Sequence, residues 1–160
     1  MKIMSGLQIV QLGSDDSALM HSVLDVFGEA FDEREIYGNE RPSEAYIQGL
    51  LAGDSFIALA ALDGEQVVGG LAAYVLRKFE QERSEIYIYD LAVELSCRRR
   101  GVATALVESL KEVAKTLGAY VIFVQADYGD DPAINLYTKL GKREDVLHFD
   151  IDPNVSGNSA

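Results

Sequence analysis

The segment Arg98-Arg99-Arg100-Gly101-Val102-Ala103 stands between a strand pattern and a helix pattern, and no other stretch constrains the chain as much. The run before it, Glu85 to Val93, is apolar and aromatic, as a strand is. The run it opens, Thr104 to Leu117, carries Leu106, Leu110 and Val113 on one helical face, with Val102 just ahead. The first N–H groups of a helix have no internal partner, and the helix dipole adds partial positive charge there. Gly101 lets backbone approach a ligand with no Cβ in the way. Arginines add charge-assisted hydrogen bonds to phosphate oxygens. Three arginines can also be a plain solvated loop. The strand–loop–helix context and the glycine favour a cradle for a pyrophosphate.

The rest of the chain reads as elements around this motif. Leu7 to Leu12 alternates like a half-buried strand, and Ser14 or Asp15 can cap the next helix. Leu19, Val23, Leu24, Phe27 and Phe31 recur at helical spacing, Gly38 to Pro42 is a loop, and Ser43 to Leu51 is a short helix. Phe56 to Leu62 and Val67 to Leu76 read as strands joined at Asp63-Gly64, a hairpin signal. A charged connection, Lys78 to Ser84, leads into the strand Glu85 to Val93. After the central helix, stopped by Gly118, Ala119 to Gln125 is continuously apolar and reads as an internal strand. Pro132 suits a helix start with Asp130 or Asp131 at its N-terminus, and Ile134, Leu136, Tyr137 and Leu140 give that helix a packed side until Gly141. Val146 to Ile151 alternates as a last strand, and Pro153 to Ala160 reads as a disordered tail. The expected order is β-α-α-β-β-β-α-β-α-β in one domain over residues 1–152. That order implies a mixed sheet with helices on both faces, in which the strands around Tyr87 and Tyr120 run parallel.

Charge narrows the partners. There are 26 acids against 14 bases, a net charge of −12. Such a field repels nucleic acid and anionic membranes and attracts polycations. Acids gather between Asp127 and Asp152, so the basic cradle and the acidic C-terminal part suggest two ligands of opposite charge. No apolar run approaches the ~20 residues of a membrane span, and the N-terminus lacks a secretory signal. With Cys97 the sole cysteine, no internal disulfide forms, and a cytoplasmic location is expected. His21 and His148 lack metal-ligand spacing, so no metal is expected.

The element order and the Arg98-x-x-Gly101-x-Ala103 signature resemble the GNAT superfamily of acetyl-CoA-dependent N-acetyltransferases. Within it, Phe56 to Ala61, Ser84 to Val93, Gln125 to Ala133 and His148 to Asp152 look like the gentamicin-type aminoglycoside 3-N-acetyltransferases. The likeness covers nearly all of Phe56 to Asp152.

The resemblance implies an α/β (α+β) GNAT fold: a mixed, mostly antiparallel sheet whose parallel strand pair splays apart to admit the pantetheine arm of acetyl-CoA. It implies that Leu91, Ala92 and Val93 pair with that arm, a backbone N–H near Leu91 polarising the thioester carbonyl. It implies that Arg98, Arg99, Arg100, Gly101, Val102, Ala103 and Thr104 hold the pyrophosphate, and that Asn135 touches pantetheine. Tyr137 matches the family tyrosine facing the coenzyme sulfur, where a phenol can protonate a departing thiolate. Asp90, an acid within an apolar strand, is the best base for the attacking amine, and Glu85 is a weaker one. Asp127, Asp130, Asp150 and Asp152 would bind the ammonium groups of a polycationic aminosugar. Cys97 beside the arginines is expected to be a bystander. The expected activity is acetyl transfer to the 3-amino group of 2-deoxystreptamine aminoglycosides, with polyamines or other small amines as the alternative acceptors. A non-catalytic acetyl-CoA-sensing module is the alternative of another class. A C-terminal strand left open could pair with a second copy, so a homodimer is a further expectation.

Overall fold

The computed structural model describes residues 6–157. Both the start of the chain and the last part of the tail expected from Pro153 to Ala160 lie outside the described residues. The chain divides into two compact units, one ending at Gln125 and one starting at Ala126.

The first unit is a five-stranded sheet in the order β1-β2-β3-β4-β5, with β1 Leu7–Gln11, β2 Phe56–Asp63, β3 Gln66–Arg77, β4 Ser84–Val93 and β5 Ala119–Val124. Neighbours are antiparallel from β1 to β4, and β4 and β5 are parallel. The parallel pair is joined through α3 Val102–Leu117, as a crossover requires. Helices α1 Ser17–Ala30 and α2 Glu44–Ala52 follow β1. This is the expected mixed, mostly antiparallel sheet with one parallel pair.

Two adjacent glycines on β3 show how the helices cover both faces. Successive residues of a strand point to opposite faces. A Cβ at Gly69 would lie 3.1 Å from Val102 of α3, and one at Gly70 would lie 2.5 Å from Val23 of α1. A side chain at Gly70 would therefore force α1 or Val23 to shift, and one at Gly69 would press tightly on α3. Beneath α1 and α2, Met20, Val23, Val26, Phe27, Ile47 and Leu51 pack with Ala58, Ala60, Ala72 and Ala92 of the sheet. Leu106 and Leu110 of α3 are fully buried, along the stripe read from their spacing.

Several boundaries differ from expectation. Asp16, not Ser14 or Asp15, takes the N-cap position of α1, and its carboxylate accepts from Gly13 N at 2.8 Å. Ser43 caps α2 by accepting from Tyr46 N at 3.2 Å. Part of the loop expected at Gly38 is a π-helical turn, Glu35–Asn39. The strand expected to be internal, β5, is an edge strand with Tyr120 and Val121 exposed. Its apolar content is accounted for by α3, by the Tyr87–Phe123 ring stack and by Arg83 lying 3.8 Å over the Tyr120 ring.

The second unit holds α4 Asp131–Leu140, which Asp130 caps by accepting from Ala133 N at 3.4 Å. The last strand expected over Val146 to Ile151 does not form, and its residues are exposed. Arg143 pairs with Asp145 and lies over the Tyr128 ring, and His148 pairs with Asp150. Alternation selects a face but supplies no ladder partner, and without a ladder the backbone takes no strand geometry. Among the described residues no helix is long and apolar enough to cross a membrane.

Candidate active site

One extra residue in β4 sets the position of Asp90. Ala72 pairs with Asp90 but Ala73 pairs with Ile88, so Tyr89 is the unmatched residue of a β-bulge. By strict alternation Asp90 would share a face with Ile86 and Ile88, both fully buried. A lone carboxylate there would be an unpaired charge in the core. The bulge turns it instead to the α1 face, half-buried, where the Tyr37 hydroxyl donates to Asp90 Oδ2 at 3.0 Å.

Tyr37 is held firmly. Its ring meets Phe27 edge-on at 6.0 Å and Phe31 at 5.8 Å. Arg41 Nε donates to the Tyr37 carbonyl at 2.9 Å, while its guanidinium pairs with Asp25 of α1. Burial pushes the Asp90 carboxyl above the usual carboxylate range, Tyr37's hydrogen bond pulls it back, and the negative charge of Glu33 adds a smaller upward push. The Tyr37 phenol is raised by burial and by Asp90. The result is a carboxylate that is partly desolvated, reachable, and held by a single donor side chain.

Just past Asp90 the sheet opens. The β4–β5 pairing ends at Ile88 opposite Val124, while β4 continues to Val93. The Glu94 N–H bonds to Val68 C=O at 2.8 Å, which fixes the phase of the β3 ladder. Main-chain groups alternate sides along an antiparallel strand. Ala92 therefore turns its N–H and C=O toward β3, and Leu91 and Val93 turn theirs toward the edge that β5 no longer covers. One of these groups, Val93 C=O, accepts from Arg98 Nε at 3.3 Å.

At the end of this edge lies the basic turn. Gly101 is the N-cap of α3 at φ +81°, and Arg99 also has a positive φ of +61°. Successive turns of this kind aim main-chain N–H groups into one concavity, which suits an anion. Gly101 brings no side chain to cap the first amides of α3. Arg98, Arg99 and Arg100 are exposed, and Val102 is buried against the sheet, which anchors the turn. Cys97 is buried.

Asp90, Leu91 to Val93 and Arg98 to Thr104 thus follow one another along β4 and into α3. The remaining candidates belong to the second unit. Asn135 and Tyr137 lie on α4; Tyr137 is half-buried, its phenol pushed up to about 12 by burial and by the charge of Asp130. Asp127, Asp130, Asp150 and Asp152 are exposed there. Three have local partners: Asp130 caps α4, Asp150 meets His148 at 2.9 Å, and Asp152 accepts from Asn154 N at 2.8 Å. Glu85, at the far end of β4, is engaged by Lys78 at 3.6 Å and by the Tyr120 hydroxyl.

Sequence reasoning missed Tyr37 and the bulge. Nothing local marks Tyr37 as a partner of an acid 53 residues away. A bulge is defined only against the neighbouring strand, so Tyr89 carries no signal of its own.

Comparison with known proteins bears on the fold and the family. The crystal structure of aminoglycoside acetyltransferase HMB0005, from an uncultured soil metagenomic sample, is similar with a TM-score of 0.91 at 61% identity, over 93% of this chain and 99% of that one. Aminoglycoside acetyltransferase meta-AAC0020, also from an uncultured soil metagenomic sample and seen in complex with sisomicin, is similar with a TM-score of 0.85 at 30% identity, over 92% and 96% of the two chains. An N-alpha-acetyltransferase of Sulfurisphaera tokodaii is 29% identical over 114 residues, 64% of this chain and 65% of that protein. N-acetyltransferase 8B of Rattus norvegicus is 28% identical over 89 residues, 56% of this chain and 40% of that protein. The chain thus matches less than two thirds of the length of either curated relative. The model of the acetyltransferase (GNAT) family matches residues 20–142, a span that runs from α1 through β4 and the basic turn to α4. The chain belongs to the GNAT family of acetyltransferases.

Proposed function

We propose that this protein transfers acetyl from acetyl-CoA to the 3-amino group of 2-deoxystreptamine aminoglycosides of the gentamicin type. The observation that carries the reading is the open edge of β4 at Leu91 to Val93, with Asp90 before it and the basic turn of α3 after it. Similarity to two aminoglycoside acetyltransferases supports the acceptor class. The match to the family model crosses from the first unit into the second, which supports treating residues 1–152 as one catalytic domain.

In this reading Arg98 to Thr104 hold the pyrophosphate, and Leu91, Ala92 and Val93 with Asn135 hold the pantetheine arm. The Leu91 N–H polarises the thioester carbonyl. Asp90, directly or through water, takes a proton from the acceptor ammonium. The freed lone pair attacks the carbonyl carbon and the C–N bond forms. Collapse of the tetrahedral intermediate breaks the C–S bond, and the nitrogen sheds its surplus proton to solvent to leave the neutral amide. Tyr137 holds its proton at neutral pH and donates it to the departing sulfur. Asp127, Asp130, Asp150 and Asp152 attract the acceptor's other ammonium groups. The reaction needs no metal. A cytoplasmic location and a homodimer complete the reading.

Turnover of acetyl-CoA with gentamicin, kanamycin and spermidine, followed by thiol release, tests the acceptor class. Gentamicin should give the highest kcat/KM. Turnover with spermidine alone would keep acetyl transfer and replace the acceptor with a polyamine.

A further inference from the structure

The α1 face of the sheet carries an unbroken row of rings beyond the helices that cover it. Phe56 meets Tyr74 at 5.4 Å, Tyr74 meets Tyr89 edge-on at 5.7 Å, Tyr89 meets Tyr87 at 5.8 Å, and Tyr87 stacks flat on Phe123 at 4.7 Å. The row crosses four strands, β2 to β5. It is open to solvent, with Tyr89 60% and Tyr74 38% exposed. The bulge gives it a second property. Tyr89 and Asp90 are consecutive, yet both face the α1 side, so the row runs up to the carboxylate. Tyr74 and Tyr87 both lie within electrostatic reach of Asp90, and Tyr46 of α2 lies within reach of Tyr74.

Exposed aromatic faces and edges beside a partly desolvated carboxylate have a definite ligand chemistry. Ring quadrupoles attract ammonium groups, and their apolar faces accept the C–H faces of a saturated ring. Net charge of −12, with Glu33 near Asp90, favours a cation over a neutral guest. A linear polyamine would satisfy the charge but leave the faces bare. We propose that Tyr74, Tyr87 and Tyr89, whose rings stand at steep angles to one another, form an aromatic platform against which one ring of a cationic aminosugar packs, with its amino group toward Asp90. The platform rests on the acceptor class proposed above and adds where its ring is held. It assigns ring recognition to the first unit, apart from the acids at Asp127, Asp130, Asp150 and Asp152.

Calorimetric titration of the full chain with gentamicin, and separately with spermidine, tests it in Tyr89→Leu and Tyr74→Leu. Each variant should weaken gentamicin binding by roughly 3–30-fold, the range of a cation–π contact, and should change spermidine binding by much less. Tyr89→Phe keeps the ring and should recover most of the lost affinity. Rings that only brace the sheet would lower the melting temperature of the variants and leave gentamicin affinity unchanged, which overturns the proposal. So would an equal loss for spermidine. The two readings fail separately. Parent protein that binds gentamicin on the platform but never acetylates it removes the reaction and keeps the site. Variants that acetylate gentamicin with the parent KM remove the platform and keep the reaction.

Discussion

The Tyr37 hydroxyl donates to Asp90 Oδ2 at 3.0 Å, from a π-helical turn to a bulged strand 53 residues away. This bond stabilises the charged carboxylate against burial and the nearby charge of Glu33. Removing it therefore raises the Asp90 pKa. If Asp90 is the base, activity needs its ionised form, and the acid limb of kcat/KM lies above the ordinary carboxylate range. In Tyr37→Phe that limb should move to higher pH, with the KM for acetyl-CoA unchanged. A pH–rate profile checks this, and a limb that stays put or moves down contradicts it.

Asp90→Asn should reduce turnover by roughly 10²–10⁴-fold while the protein remains folded. The same change should improve stability at neutral pH. A carboxyl held above its unfolded value binds its proton more tightly in the folded chain. As pH rises from about 3.8 through the raised folded value, the folded state holds more protons than the unfolded state, and stability falls. Asparagine has no such penalty. The melting-temperature difference between variant and parent should widen in the variant's favour as pH rises through that window. A difference independent of pH would show that Asp90 pays no burial penalty.

Gly70→Ala should destabilise the fold by roughly 1–3 kcal/mol, because the new Cβ would meet Val23 in a closed core. Val23→Ala makes room for that methyl. The double variant should then lose less than the sum of the two single losses. Urea unfolding of all four proteins measures the cycle, and strict additivity would mean that the helix shifts instead.

Most of the fold is legible because most of it is local. The apolar stripe of α3, the turn at Asp63-Gly64 and the strand–turn–helix at Arg98 to Ala103 are each written within a few residues. Long-range features are not. The alternation of Val146 to Ile151 names a face but no neighbour, and the apolar run of β5 does not tell an edge from a centre. Asp90 was recognisable as an acid in an apolar strand. Its orientation depends on pairing with β3, and its partner Tyr37 comes from a turn that no local pattern in the sequence marks.

Tyr137→Phe should lower turnover, toward the low end of roughly 10²–10⁴-fold, and leave acetyl-CoA binding intact. Single-turnover kinetics beside calorimetric binding of acetyl-CoA separates the two quantities. Unchanged turnover would remove Tyr137 from the mechanism.

The central claim is the reaction itself, and the position of the acetyl group on its product tests it most directly. Gentamicin and acetyl-CoA incubated with the full chain should yield a single acetylated product, located by NMR at the 3-amino group of the 2-deoxystreptamine ring. An acetyl group at any other amine, or no acetylated aminoglycoside at all, would contradict the account.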